Sequence, residues 1–237
     1  MEGGCLRVPA GRLETANSKY PKDGLFDKRL AFFTSLQVGF PAALFVFLAR
    51  TASARAMEVD KEVGLISYES DILARGLDVI FCGLNPASSA AVAGHNFSNG
   101  TNRFWSVLHL AGFTDVRLQP QDERRLLEYG CGITAVVRRP TKRAAEVSPE
   151  EFRQARLGFE AKMRHYAPRS IAFLGKRALS AMIGRPGVDW GRLPTEFAGT
   201  MAWLLPNPSG LNRGFTRDAL VSAYEEFRIA LAQSTAA

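Results

Sequence analysis

The sequence predicts an α/β fold: a mainly parallel central sheet with helices on both faces, in three layers. Three observations predict it. Short apolar runs of strand length alternate with segments of helical spacing, the pattern of a sheet covered by helices. Two of those runs end directly in Asn-Pro loops. No internal repeat or low-complexity segment interrupts the series from residue 71 onward.

The elements follow in order. Residues 77–83, Leu-Asp-Val-Ile-Phe-Cys-Gly, read as a buried strand ending in glycine. Residues 102–111 have helical spacing, with Phe104, Trp105, Leu108 and Ala111 on one face. Residues 123–129 read as a second helical piece and 133–137 as a strand. Ser148-Pro149-Glu150-Glu151 is a strong helix start: a serine cap, proline at the first position and glutamate three residues after the cap. That helix should run to about Tyr166, before Pro168. A strand at 170–175, a helix at 176–183, a strand at 201–205 and a final helix at 217–232 complete the series. In such a sheet, sites form just beyond the C-terminal ends of the strands.

The bulk composition bounds the function only loosely. The chain has 237 residues, 46% hydrophobic and 22% charged, enough apolar content for a sizeable core. The net charge of +7 suits a polyanionic partner, although ordinary solvated surface charge explains it equally well. Residues 1–56 contribute +4 and residues 57–237 only +3. Three scattered cysteines, Cys5, Cys82 and Cys131, argue against a disulfide scaffold. They cannot supply the four thiolates of an iron–sulfur cluster. No Cys/His spacing resembles a zinc site, and His95, His109 and His165 are isolated in sequence. No metal is expected.

Residues 1–56 read differently from the rest. Residues 1–29 show no period. An apolar stretch at 30–48 follows, flanked by Lys28, Arg29 and Arg50. Those are the parts of a signal or an anchor, but Thr34, Ser35, Gln37, Gly39 and Pro41 interrupt the run, which suits a spanning helix poorly. An extra structural element is a further alternative. The favoured reading is an N-terminal extension, disordered or a start-site artefact, with Met57 opening a single domain over 57–237 and no membrane association.

Two loops carry the candidate chemistry. Gly83-Leu84-Asn85-Pro86-Ala87-Ser88 follows the first strand, and Pro206-Asn207-Pro208-Ser209-Gly210-Leu211-Asn212-Arg213 follows the last. Proline fixes the backbone and biases the residue before it away from helix, holding an asparagine carboxamide at a rigid strand end. Singly, each loop is explained as the start of a turn. Two of them, both after buried strands, raise the alternative of a shared site, and the loop residues alone leave both readings open.

Gly83-Leu84-Asn85-Pro86, Gly94-His95 and Asn102-Arg103-Phe104-Trp105 resemble the mismatch-specific uracil/thymine-DNA glycosylases, the bacterial mismatch-specific enzymes most closely. Asn207-Pro208-Ser209-Gly210-Leu211-Asn212-Arg213 resembles the second motif of that group. The resemblance runs from about Asp71 to Ala232, and nothing in residues 1–56 takes part. It implies the three-layer sandwich of the uracil-DNA glycosylases, and an enzyme that flips a nucleotide out of the stack at a cost of a few kcal/mol. Asn85 matches the catalytic asparagine, whose side-chain oxygen would orient a water toward C1′. An amide is a feeble base, so it would position the water more than deprotonate it. Phe97 matches the aromatic residue that stacks on the flipped base, an interaction of about 1–3 kcal/mol. The polar, loop-like flanks of Phe97 favour its exposure over packing in a core. The backbone around Leu84 and Phe97 would read the uracil edge. Leu211 matches the wedge that fills the hole left by the base. Asn207 falls in the same DNA-binding motif; Ser209, Gly210 and Arg213 would line the widowed guanine and nearby backbone, with Gly210 permitting close approach. Arg139, Lys142 and Arg143 are candidate phosphate contacts or simply a solvated charged face.

Two positions depart from the bacterial pattern. Ala87 stands where glycine is typical and would crowd the base near C5; Asn212 replaces a usual serine. The function implied is a monofunctional glycosylase that hydrolyses the N-glycosidic bond of uracil, best in G:U mismatches and with etheno-cytosine as a further candidate. No lysine lies in either motif, so no lyase step is expected, and neither is a cofactor. The partner would be double-stranded DNA with G:U mismatches, the protein a monomer, cytoplasmic and at the nucleoid by its substrate. The alternatives are a broad uracil-DNA glycosylase that also takes A:U pairs and single strands, and a non-catalytic mismatch-binding protein.

Overall fold

A computed structural model of the protein describes residues 70–234. The readings made for residues 1–56 lie outside the described residues. Five strands form one sheet: β1 (Val79–Gly83), β2 (Cys131–Ala135), β3 (Ser170–Leu174), β4 (Gly191–Arg192) and β5 (Met201–Leu205). Their order is β2-β1-β3-β5-β4. The first four in that order run parallel, and β4 pairs antiparallel with β5 at the edge. Among the described residues five α-helices accompany them: α1 (Ser88–Ala93), α2 (Phe104–Leu110), α3 (Pro149–Tyr166), α4 (Lys176–Ile183) and α5 (Arg217–Gln233). The three-layer α/β expectation holds.

The strands are apolar throughout because both of their faces are buried. Along β1, Val79 and Phe81 point into one core and Ile80 and Cys82 into the other. The first core packs α2 and α5 against the sheet through Phe104, Trp105, Leu108, Leu220, Tyr224 and Phe227. Phe81 sits at its centre, edge-on to Phe104 at 5.6 Å and to Phe227 at 6.4 Å. The second core packs α3 and α4 on the opposite face through Phe152, Phe159, Met163, Leu179 and Met182.

Helix α3 begins as its sequence predicts. Ser148 accepts a hydrogen bond from the Glu151 amide at 3.2 Å, and the Glu151 carboxylate accepts from the Ser148 amide at 2.9 Å. It stops where Ala167 adopts a left-handed backbone, φ 46°, just before Pro168.

Four elements differ from the sequence reading. The helical piece expected at 123–129 is a 3-10 helix that starts at Pro120, where proline opens it and the Asp122 carboxylate accepts from the Gln119 amide at 3.1 Å. The strand expected at 133–137 runs from Cys131 to Ala135, since Gly130 in a left-handed turn delivers the chain directly into the ladder with β1. The loop after β1 contains the short helix α1, whose sequence lacks an apolar stripe: only Ala90 is buried, and Val92 is 83% exposed. Strand β4 is two residues long and too short to show a period.

Gly132 and Gly158 separate close packing from helix propensity. A Cβ on Gly132 would lie 2.7 Å from both the Ile72 carbonyl oxygen and Leu77 Cδ1, whereas one on Gly158, within α3, meets nothing within 4 Å. Gly132→Ala should therefore destabilise by about 1–3 kcal/mol, and Gly158→Ala should stabilise by about 0.5–1 kcal/mol. Thermal unfolding of the two variants checks both signs.

Candidate active site

The C-terminal ends of β1, β2, β3 and β5 lie along one edge of the sheet. Strands β1 and β5 flank β3, so the loops that leave them rise on either side of its end and enclose a cleft of about 290 Å³. Asn85 lines one wall, Leu211 the other, and Leu174 at the end of β3 lies between them. The shared site left open by the loop sequences is thus formed. Leu84, Ala87, Phe97, Asn207, Ser209 and Gly210 line it too; Arg213 does not, and is exposed outside it.

Asn85 is held in one orientation. Its side-chain amide donates to the Thr141 hydroxyl at 2.8 Å, to the Arg139 carbonyl at 3.0 Å and to the Pro86 carbonyl at 3.1 Å. The two carbonyls can only accept, and the Thr141 hydroxyl gives its own proton to the Arg143 carbonyl at 2.9 Å. The NH2 group must therefore face these three oxygens. Its Oδ1 accepts from no donor among the described residues, and is the atom Asn85 can offer to the cleft. The surrounding backbone is equally fixed. The Val136 and Val137 amides bond the Gly83 and Leu84 carbonyls, and Thr141 exchanges bonds with Pro86 and Ser88, continuing the β1–β2 ladder past the strand ends.

Arg103 holds the opposite wall. Its guanidinium donates to the carbonyls of Pro208, Ser209, Asn212 and Phe215 at 2.7 to 3.3 Å, and its backbone amide to Pro208 at 3.0 Å. Asn207 spends its carboxamide inside the same loop: Oδ1 accepts from the Ser209 amide and Nδ2 donates to the Leu174 carbonyl. Those bonds shape the loop, and Asn207 also lines the cleft. The Ser209 hydroxyl accepts from the Leu211 amide at 3.3 Å. The fold itself requires Gly210: a Cβ there would lie 2.6 Å from the Thr101 carbonyl oxygen. Leu211, at the loop tip, is 86% exposed and belongs to no core.

Phe97 has a positive φ of 51°, a strained backbone for a bulky residue. One face of its ring stacks on buried Phe104, centroids 4.0 Å apart, leaving the other as the face it can present to the cleft. The turn before it is anchored by Glu123, a buried carboxylate that accepts from the Asn96 backbone amide at 2.7 Å and from the Asn96 side chain at 2.9 Å, with His95 Nδ1 at 3.4 Å.

The basic loop divides. Lys142 and Arg143 line the cleft, whereas Arg139 does not line it and pairs with Glu151 at 2.7 Å and with the Glu146 carbonyl. Behind Asn85, burial raises the Cys82 thiol well above the ordinary thiol range, which leaves it inert as a nucleophile. Among the described residues no group of three His, Cys, Asp or Glu side chains could hold a metal ion.

A sequence profile of the Uracil DNA glycosylase superfamily matches residues 71–228, two thirds of the chain and both walls of the cleft. The chain belongs to that superfamily. It is a DNA glycosylase, a hydrolase of N-glycosyl bonds that acts on uracil in DNA. A solution structure from Methanosarcina acetivorans, whose own assignment as a uracil DNA glycosylase is provisional, aligns with a TM-score of 0.45 and 17% identity over 67% of this chain and 95% of that one.

Sequence reasoning missed three residues of this glycosylase site. Thr141 sits in the Arg139-Pro140-Thr141 turn, where the proline marks a rigid bend and nothing marks the hydroxyl's partner. Arg103 lies inside a motif, but its partners are over a hundred residues away. Glu123 carries no local sign of burial.

Thr141→Val keeps the shape of the side chain and removes the acceptor for Asn85. Single-turnover excision should fall about tenfold, corresponding to about 1.4 kcal/mol, with the melting temperature within a few degrees of wild type. Arg103→Lys keeps the charge and loses the fork. It should slow excision from duplex DNA more than from the unpaired strand, in a side-by-side assay of both substrates.

Proposed function

We propose that the protein is a monofunctional glycosylase of the mismatch-specific type, which removes uracil from G:U pairs after flipping the nucleotide into the cleft. The observation that carries this reading is the locked carboxamide of Asn85. Three acceptors fix its NH2 side, so Oδ1 is preset to accept a hydrogen bond from a water without reorganising during the reaction. An amide oxygen orients but scarcely deprotonates. The C1′–N1 bond therefore breaks first, its electron pair leaving on the uracil ring. The held water then bonds the cationic C1′ and releases its proton, giving free uracil and an abasic site.

The other residues serve the same sequence of events. Phe97, backed by Phe104, stacks on the flipped base. Leu211 enters the vacated space in the duplex; a leucine that is 86% exposed at a pinned loop tip suits insertion between bases. Ala87 lines the cleft and places a methyl where a thymine methyl would need room, which favours uracil over thymine. A wobble pair costs less to open than A:U, which favours G:U. Lys142 and Arg143 approach the phosphates at the cleft mouth.

Asn85→Ala should abolish excision yet bind a G:U duplex within a few-fold of wild type; near-normal cleavage by the variant sinks the assignment. At equal enzyme, G:U should be cleaved faster than A:U, with G:T slowest. Equal rates on A:U and G:U would establish a broad uracil glycosylase instead. The monofunctional reading has its own check, because Lys142 lies in the cleft wall although no lysine lies in either motif. Borohydride should trap no protein–DNA adduct, and a trapped adduct lost in Lys142→Gln would show a lyase step.

A further inference from the structure

One exposed cluster beside the cleft has no part in the chemistry described above. Trp190 lies just before β4 and is 42% exposed. Lys176, the first residue of α4, holds its Nζ 4.6 Å from the centre of the Trp190 ring. Phe215 meets the same ring edge-on, at 5.3 Å and 86°. Among the described residues Lys176 has no carboxylate within ion-pair distance; the indole is what holds it.

The cluster adjoins both ends of the loop that carries Leu211. At one end, Phe215 is both a wall of the cluster and an acceptor for the Arg103 guanidinium at 2.7 Å. At the other, Gly175, directly before Lys176, packs so closely on Asn207 that a Cβ there would lie 3.4 Å from the Asn207 Cβ. A part-exposed indole with a cation over its face therefore stands against the two ends of the loop whose tip is the exposed Leu211. Flat aromatic surface and a compact positive charge side by side are what a nucleic-acid strand offers partners for: π-faces or sugars to pack on, and phosphates to neutralise.

We propose that Trp190 and Lys176 form a second DNA-contact platform, which grips the duplex on one side of the excised nucleotide. Lys176 neutralises a backbone phosphate, and the Trp190 ring packs on the adjoining sugar or base. Resting on the glycosylase reading of the Leu211 loop, the inference adds a directional footprint: the protein needs more DNA on one side of the lesion than on the other.

The test uses the full chain carrying Asn85→Ala, so that no turnover occurs during binding. Three labelled duplexes of about 20 base pairs, a length the platform and cleft can occupy together, hold a G:U pair at the centre, near one end, or near the other. Affinity is read by fluorescence anisotropy across a salt series. Trp190→Ala and Lys176→Gln should each weaken binding about five- to tenfold on the centred duplex and on one end-shifted duplex. They should have no effect on the duplex that lacks DNA on the platform side. Lys176→Gln should also reduce the slope of log affinity against log salt by about 0.9. Trp190→Phe, which keeps a ring, should recover most of the loss. Wild-type affinity and salt slope in both variants would overturn the platform, and so would equal losses on all three duplexes, which would mark a general disturbance of the wedge loop. Failure of the Asn85→Ala parent to bind any duplex would refute both the platform and the glycosylase reading beneath it.

Discussion

The fork of hydrogen bonds from Arg103 is the constraint on which the arrangement of the cleft depends. The loop after β5 has no regular structure of its own, and beyond its local turns it is tied down by few other bonds, among them that of Asn207 to the Leu174 carbonyl. One guanidinium, rigid and planar, satisfies four of its carbonyls at once. Arg103 follows the Phe97 turn by only six residues, so the segment that presents Phe97 is also the anchor of the segment that presents Leu211. Contact between Thr101 and Gly210 closes the same junction from the side, with no space for a Cβ. The segments that present Phe97 and Leu211 are thereby built as one unit, so that ordering one orders the other.

The opposite wall obeys a similar logic with different bonds. Sheet pairing continues past the ends of β1 and β2, and this regular ladder delivers Thr141 to Asn85. The result is an amide whose two ends have separate duties: the nitrogen is committed to structure and the oxygen is available for chemistry. Such a division suits catalysis by positioning, where little proton affinity is required and fixed geometry supplies much of the advantage. Buried Cys82 behind the site stays protonated and out of the reaction. Other polar groups near the cleft hold it in shape, among them the carboxamide of Asn207 and the carboxylate of Glu123.

Much of this was legible from residue order alone. The alternation of apolar runs and helical spacing determined the α/β class, because a strand buried on both faces must be apolar throughout and a covering helix on one stripe only. The cap at Ser148 located the start of the longest helix, since its serine and glutamate act on amides within three residues. Asn85, Phe97 and Leu211 stood out because motif residues keep their order and spacing, and those are properties of the chain. Only the tertiary structure decided what depended on distant partners. Helix α1 escaped notice because one buried alanine makes no period. Arg103 was read without its role because its acceptors lie 105 to 112 residues further along. The contact of Gly210 with Thr101 and the bond of Asn207 to the Leu174 carbonyl likewise involve partners remote in sequence. Local patterns encode what a residue does to its neighbours in sequence; the fold alone determines which remote carbonyl, hydroxyl or ring completes its hydrogen bonds, and so which side chains remain free to meet a substrate.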